Sequence, residues 1–201
     1  MKQTRIRLAL LAVIALIALP ALLPATASAQ TFKLGTGKVS VSLDPFYIIF
    51  LTAGYPMYPV APAAMTFDAP ATRLVLPVKG GTWNAGLHPH GTFVLKGGFA
   101  FIHYVTGPTV NSLSIPGWHA IVGTTTGWTA VVNGARTPIL DEDLTTATTT
   151  FPKSHGQTFV KITGVVLTYD NGFTNAFNTA FGTTLGDNEP FGTAPLLARL
   201  K

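Results

Sequence analysis

The stretch "GTFVLKGGFAFIHYVTG", Gly91 to Gly107, decides how the rest of the chain is read. Its residues alternate on either side of the pair Gly97-Gly98, which predicts two short β-strands, Gly91–Leu95 and Phe99–Val105, broken at the glycines. A period of two sets Phe99, Phe101, His103 and Val105 on one face and Ala100, Ile102 and Tyr104 on the other. A histidine thus shares a face with two phenylalanines. It is either a core imidazole satisfied by its neighbours or a ligand in an aromatic-lined pocket.

Outward from this stretch the same pattern recurs. Further strands are expected at Lys38–Leu43, Thr72–Val78, Ser112–Ile115, Ala120–Thr124, Thr129–Asn133, Thr158–Thr168 and Thr193–Leu200. Asn133-Gly134 marks a tight turn, and Pro77 bars its strand from a central position along its whole length. The expected fold is all-β: one antiparallel β-sandwich or barrel-like domain with one or two short helices. The first helix would follow Asp44 as cap and Pro45 as first helical residue, and stop at Gly54. The second would follow Asp170 and stop at Gly182, with Phe173, Phe177 and Phe181 repeating every four residues on a core-facing stripe.

The chain opens with Lys2, Arg5 and Arg7, an apolar run from Leu8 to Leu19, and the small-residue pattern Ala27-Ser28-Ala29. This reads as a secretory signal peptide over residues 1–29, leaving 172 of the 201 residues as a single domain, 30–201. No second apolar stretch of spanning length follows, so no transmembrane segment is expected after cleavage. The chain holds 13 Lys and Arg against 8 Asp and Glu, and the leader carries three of the thirteen, so the exported domain has a net charge near +2. Its cations are scattered singly and do not fit a nucleic-acid partner. With no cysteine there is neither disulfide, thiolate metal site nor cysteine nucleophile.

Motifs for turnover are scarce. No G-x-S-x-G, phosphate loop, H-E-x-x-H or Rossmann glycine pattern occurs. His88 and His90, two apart on an extended segment, project to one side and are candidate metal ligands that would need a third. The acidic run Asp141-Glu142-Asp143 reads as a solvated turn. For a haem pocket, His103 is the candidate imidazole, and Tyr47 and Tyr55 are candidate phenol ligands.

The segments "FVLKGGFAFIHYVTGPTVNSLSIPGWHAIV" (93–122) and "GWTAVVNG" (127–134) together resemble the core of the haem-transport-associated, HtaA-like secreted domains of Gram-positive bacteria. The tail "VVLTYDNGFTNAFNTAFGTTLGDNEPFGTAPLLA" (165–198) and "GYPMYPVAPAAMTFDAPATRLVLPVKGG" (54–81) are similar to exported relatives of unknown role. The resemblance implies a tyrosine near the start of the domain that holds haem, supported by a histidine. His103 takes the histidine's place, and Tyr47, in Asp44-Pro45-Phe46-Tyr47, stands nearest to the family's S-F-x-x-Y tyrosine. Three functions are therefore expected. The first is a secreted, non-enzymatic binding protein of the cell envelope, with an envelope component or a small apolar ligand as partner and no firm cofactor. The second is haem capture or relay through His103 with Tyr47 or Tyr55, and the third a metal-dependent hydrolase built on His88 and His90.

Overall fold

The computed structural model describes residues 30–68, 71–86, 88–104, 110–124 and 127–201. The expected leader and Val105 lie outside the described residues. Strand β1 (Thr31–Leu43) leads into helix α1 (Tyr47–Thr52), then β2 (Met57–Val60), β3 (Ala64–Asp68) and β4 (Ala71–Asn84). Next come β5 (His90–Leu95), β6 (Gly98–Tyr104), β7 (Val110–Pro116), β8 (His119–Val122), β9 (Trp128–Val132) and β10 (Ala135–Asp143). Short β11 (Thr148–Thr150) and β12 (Lys153–Ser154) precede β13 (Gln157–Tyr169), α2 (Asn171–Phe181) and β14 (Pro190–Leu200).

The large sheet runs β1-β14-β13-β10-β9-β8-β5-β4-β3, and β1 also pairs with β4 from Thr31↔Asn84 to Ser42↔Arg73. The ladder therefore closes on itself as an antiparallel barrel, and of the two architectures expected the barrel is the one formed. Pro77 lies on β4 where the partner on one side changes from β3, whose ladder ends at Val75, to β5, which begins at Val78. At Leu76 and Pro77 β4 is therefore paired on one side only, with β1, so as expected it is not central along its whole length, and the proline breaks no ladder on the open side. The barrel interior is filled by side chains such as Val41, Leu74, Leu76, Phe93, Trp128, Ile162 and Leu196, each at most 1% exposed. Lys38, Lys161 and Arg73 face outward.

β5 and β6 begin and end within two residues of expectation, yet they belong to different sheets, because β6 pairs with β2 and β7 in a separate three-stranded sheet. The glycine pair is where the chain crosses from one to the other. Gly97 adopts φ +78°, and a Cβ on Gly98 would collide with the Ile115 carbonyl. One glycine supplies the backbone turn and its neighbour the close approach.

The inner face of the small sheet packs Phe99 and Phe101 onto α2. Phe101 lies 5.9 Å from Phe173 and 5.1 Å from Phe177 between ring centroids, and Phe99 lies 5.0 Å from Trp118. Helix α2 follows the expected grammar: Asp170 Oδ1 accepts from the Gly172 N–H at 2.6 Å, and Gly182 closes the helix at φ +68°. α1 departs from it. Asp44 Oδ1 accepts from the Phe46 N–H, and Tyr47, Ile48 and Ile49 donate to the carbonyls of Asp44, Pro45 and Phe46. Tight turns of this kind delay the helix to Tyr47, and no side chain caps it.

The acidic run is likewise not a turn. Asp141, Glu142 and Asp143 end β10, paired with Thr168, Leu167 and Val166 of β13. Glu142 accepts from the Gly123 N–H at 2.7 Å and from Trp128 Nε1 at 3.2 Å, tying β8 to β9, and its burial raises the pKa of the carboxyl.

Candidate functional site

At the end of β1 nearest α1, the chain passes from the helix through Gly54 to Tyr55 and Pro56, and this connection is stitched to β6. The Ile102 N–H donates to the Pro56 carbonyl, and His103 Nδ1 lies 3.0 Å from the Gly54 carbonyl. A carbonyl can only accept, so Nδ1 carries a proton, and in the neutral imidazole Nε2 keeps its lone pair. Gly54 adopts φ +84°, and a Cβ on it would lie in ordinary van der Waals contact with the His103 ring. Tyr55 stacks on that ring at a centroid distance of 4.5 Å and an interplanar angle of 30°. Phe181, the last residue of α2, closes the third side, 5.1 Å from Tyr55 and 6.4 Å from His103.

His103 and Tyr55 are both half-buried, so each contributes one side to the core and one to the surface. Tyr47 is placed differently. It is 5% exposed beneath α1, and burial together with the nearby Tyr58 phenol holds its pKa above the ordinary tyrosine value. Of the two phenols singled out by sequence, the structure brings Tyr55 onto His103 and sets Tyr47 into the core.

Helix α1, which leads into this pair, carries exposed apolar side chains. Ile48 and Ile49 on α1 are each 55% exposed and Leu51 is 41% exposed. On the small sheet Tyr58, Tyr104 and Val110 are exposed on the face opposite to His103, with Tyr104 paired to Val110 across β6 and β7. The α1 isoleucines escaped sequence reading because a six-residue helix shows less than two turns of periodicity. His88 and His90 lie elsewhere, beside and at the start of β5, and both are exposed. His90 Nδ1 donates to the His88 carbonyl at 2.8 Å, and among the described residues no group of three or more His, Cys, Asp or Glu converges to hold a metal.

These features define a closed β-barrel carrying a small aromatic-packed sheet and two helices at one end, with a Tyr–His pair at the helix-covered rim. The fold is HtaA-like: the chain is similar to the C-terminal domain of HtaA from Corynebacterium glutamicum, with a TM-score of 0.54 at 11% identity, covering 85% of this chain and 99% of that one. The heme binding protein HtaB from the same organism superposes more loosely, with a TM-score of 0.44 at 11% identity over 86% of this chain and 96% of that one. No protein-family model and no curated protein sequence matches the chain.

Proposed function

We propose that the protein is a non-enzymatic binding protein that works at the cell envelope after removal of residues 1–29, and that its ligand is haem, held at the Tyr55–His103 pair. The observation that carries this reading is the stack of Tyr55 on His103 beside the exposed apolar residues of α1. A phenol oxygen and an imidazole nitrogen are donors that haem iron accepts, and an apolar wall suits the macrocycle. The Nδ1–H to Gly54 carbonyl bond orients the ring and would leave Nε2 for a ligand. Bound haem would supply only its iron and its apolar plane; Ile48, Ile49 and Leu51 would shield that plane from water. The sequence resemblance to haem-transport-associated domains implies the same ligand, and the fold shared with the C-terminal domain of HtaA agrees with that resemblance.

The test is a haemin titration of the purified protein followed by absorbance. A saturable Soret change near one equivalent is expected, weakened about tenfold or more by His103→Ala. A non-saturating change, or one that His103→Ala leaves intact, would remove haem from this site.

A further inference from the structure

At the opposite end of β1, where Thr31 pairs with Asn84 and Leu34 with Leu200, the barrel opens into a cleft of about 820 Å³. We propose that this cleft binds an anionic amphiphile, a carboxylate carried on an apolar chain. Its volume falls within the roughly 300–1,000 Å³ typical of small-molecule sites. Phe32, Phe151 and Leu200 supply apolar wall, Arg199 and Lys201 supply positive charge, Thr158 supplies a hydroxyl, and no acidic residue lines it.

The two cations are brought together by the fold. Arg199 Nε and Lys201 Cε would each lie 3.1 Å from a Cβ built on Gly35, so both side chains rest over that glycine, which leaves room for the pair. Lys33 adds a third cation on the neighbouring strand, its carbonyl accepting from the Lys201 N–H at 2.9 Å. Like charges gathered on one sheet face repel unless an anion sits among them. A carboxylate bound between Arg199 and Lys201 offsets this repulsion.

The chain of the ligand follows from the other wall. Phe151 is 45% exposed at the cleft, a large ring held at the surface just before the β12–β13 turn, where His155 and Gly156 adopt positive φ. A bare inorganic anion would leave the exposed Phe151 ring in water, whereas an apolar chain laid along Phe151 and the open sides of Phe32 and Leu200 is withdrawn from water with it.

The experiment is a fluorescence titration of the purified protein with cis-parinaric acid, a carboxylate on a fluorescent polyene chain. Saturable enhancement near one equivalent is expected, displaced by palmitate but at least tenfold less well by hexadecanol and not by inorganic phosphate. Arg199→Gln, which keeps the stem and removes the charge, should weaken binding about tenfold or more. Lys201→Gln and Phe151→Ser, at exposed positions, should weaken it with near-ultraviolet circular dichroism unchanged, so the proposal stays open to refutation even where Arg199→Gln perturbs folding. His103→Ala should leave the titration as it was. Absence of saturable enhancement overturns the proposal, and so does binding that survives both Lys201→Gln and Phe151→Ser. Competition by hexadecanol or phosphate equal to that of palmitate overturns it as well. Loss of the signal in His103→Ala assigns the probe to the other end of the barrel and overturns it too.

Discussion

The two helices are introduced by the same device, a strand running into an aspartate, yet they end as opposites. α2 is capped by Asp170, closed by Gly182, and turns Phe173 and Phe177 fully inward. α1 has no side-chain cap, spans six residues, and buries only Tyr47 and Phe50 while Ile48, Ile49 and Leu51 face solvent. α2 is an element of the core. α1 is anchored by two rings, Tyr47 and Phe50, the latter lying 5.2 Å from Phe101 and 5.1 Å from Phe177, and holds apolar side chains where burial does not require them. Exposed apolar surface gathered beside a Tyr–His pair is the signature of a binding face rather than of a folding unit.

The largest expected effect is on the core side of this comparison. Phe173 is fully buried against Phe99, Phe101, Tyr169 and Phe177, so Phe173→Ala should cost about 3–5 kcal/mol in chemical denaturation. A loss below about 1 kcal/mol would show that α2 is peripheral. Asp170→Ala should cost about 1 kcal/mol by removing the cap of α2. Asp44→Ala should cost less, since its carboxylate serves a turn ahead of α1; equal losses would erase the distinction between the helices. Replacing both Ile48 and Ile49 by serine should shift stability by no more than about 0.5 kcal/mol per site while weakening haemin binding severalfold. The reverse, a destabilised protein with unchanged affinity, would return α1 to the core.

The smallest effect is a pH dependence at the start of α2. Asp141 has its pKa raised by burial first and then by the charges of Asp170 and Asp187. The folded state therefore disfavours its ionised form. Its contribution to stability is full below the ordinary carboxylate value and is lost as pH rises through the raised one. Asp141→Asn should then stabilise the protein near neutrality, and the gain should fade on acidification. A gain that is constant with pH would contradict this electrostatic origin.

Much of the fold was legible because its signals are local. Alternation placed Phe99 and Phe101 inward and Tyr104 outward, and Asp170 with the four-residue phenylalanine repeat marked α2. What escaped depends on partners distant in the chain. Nothing near Gly97 says that β5 and β6 join different sheets. The glycines of "LGTG" hid the first half of β1, whose close packing against β14 needs them: a Cβ on Gly37 would collide with the Leu197 carbonyl. The run Asp141-Glu142-Asp143 read as a turn because strand pairing and the Glu142 bonds to Gly123 and Trp128 cannot be seen in three successive acids. In the site, His103 could be singled out by its phenylalanine neighbours. Which of Tyr47 and Tyr55 stands against His103 depends on burial and stacking, which residue type does not carry.

The most direct measurement is a double-mutant cycle on haemin affinity, comparing Tyr55→Phe, His103→Ala and the pair of substitutions. The expected result is that each single change weakens binding and the double change adds little to the larger of the two, because Tyr55 and His103 act as one unit. Additive losses, or affinity unmoved by either change, would contradict a shared site at the helix-covered rim.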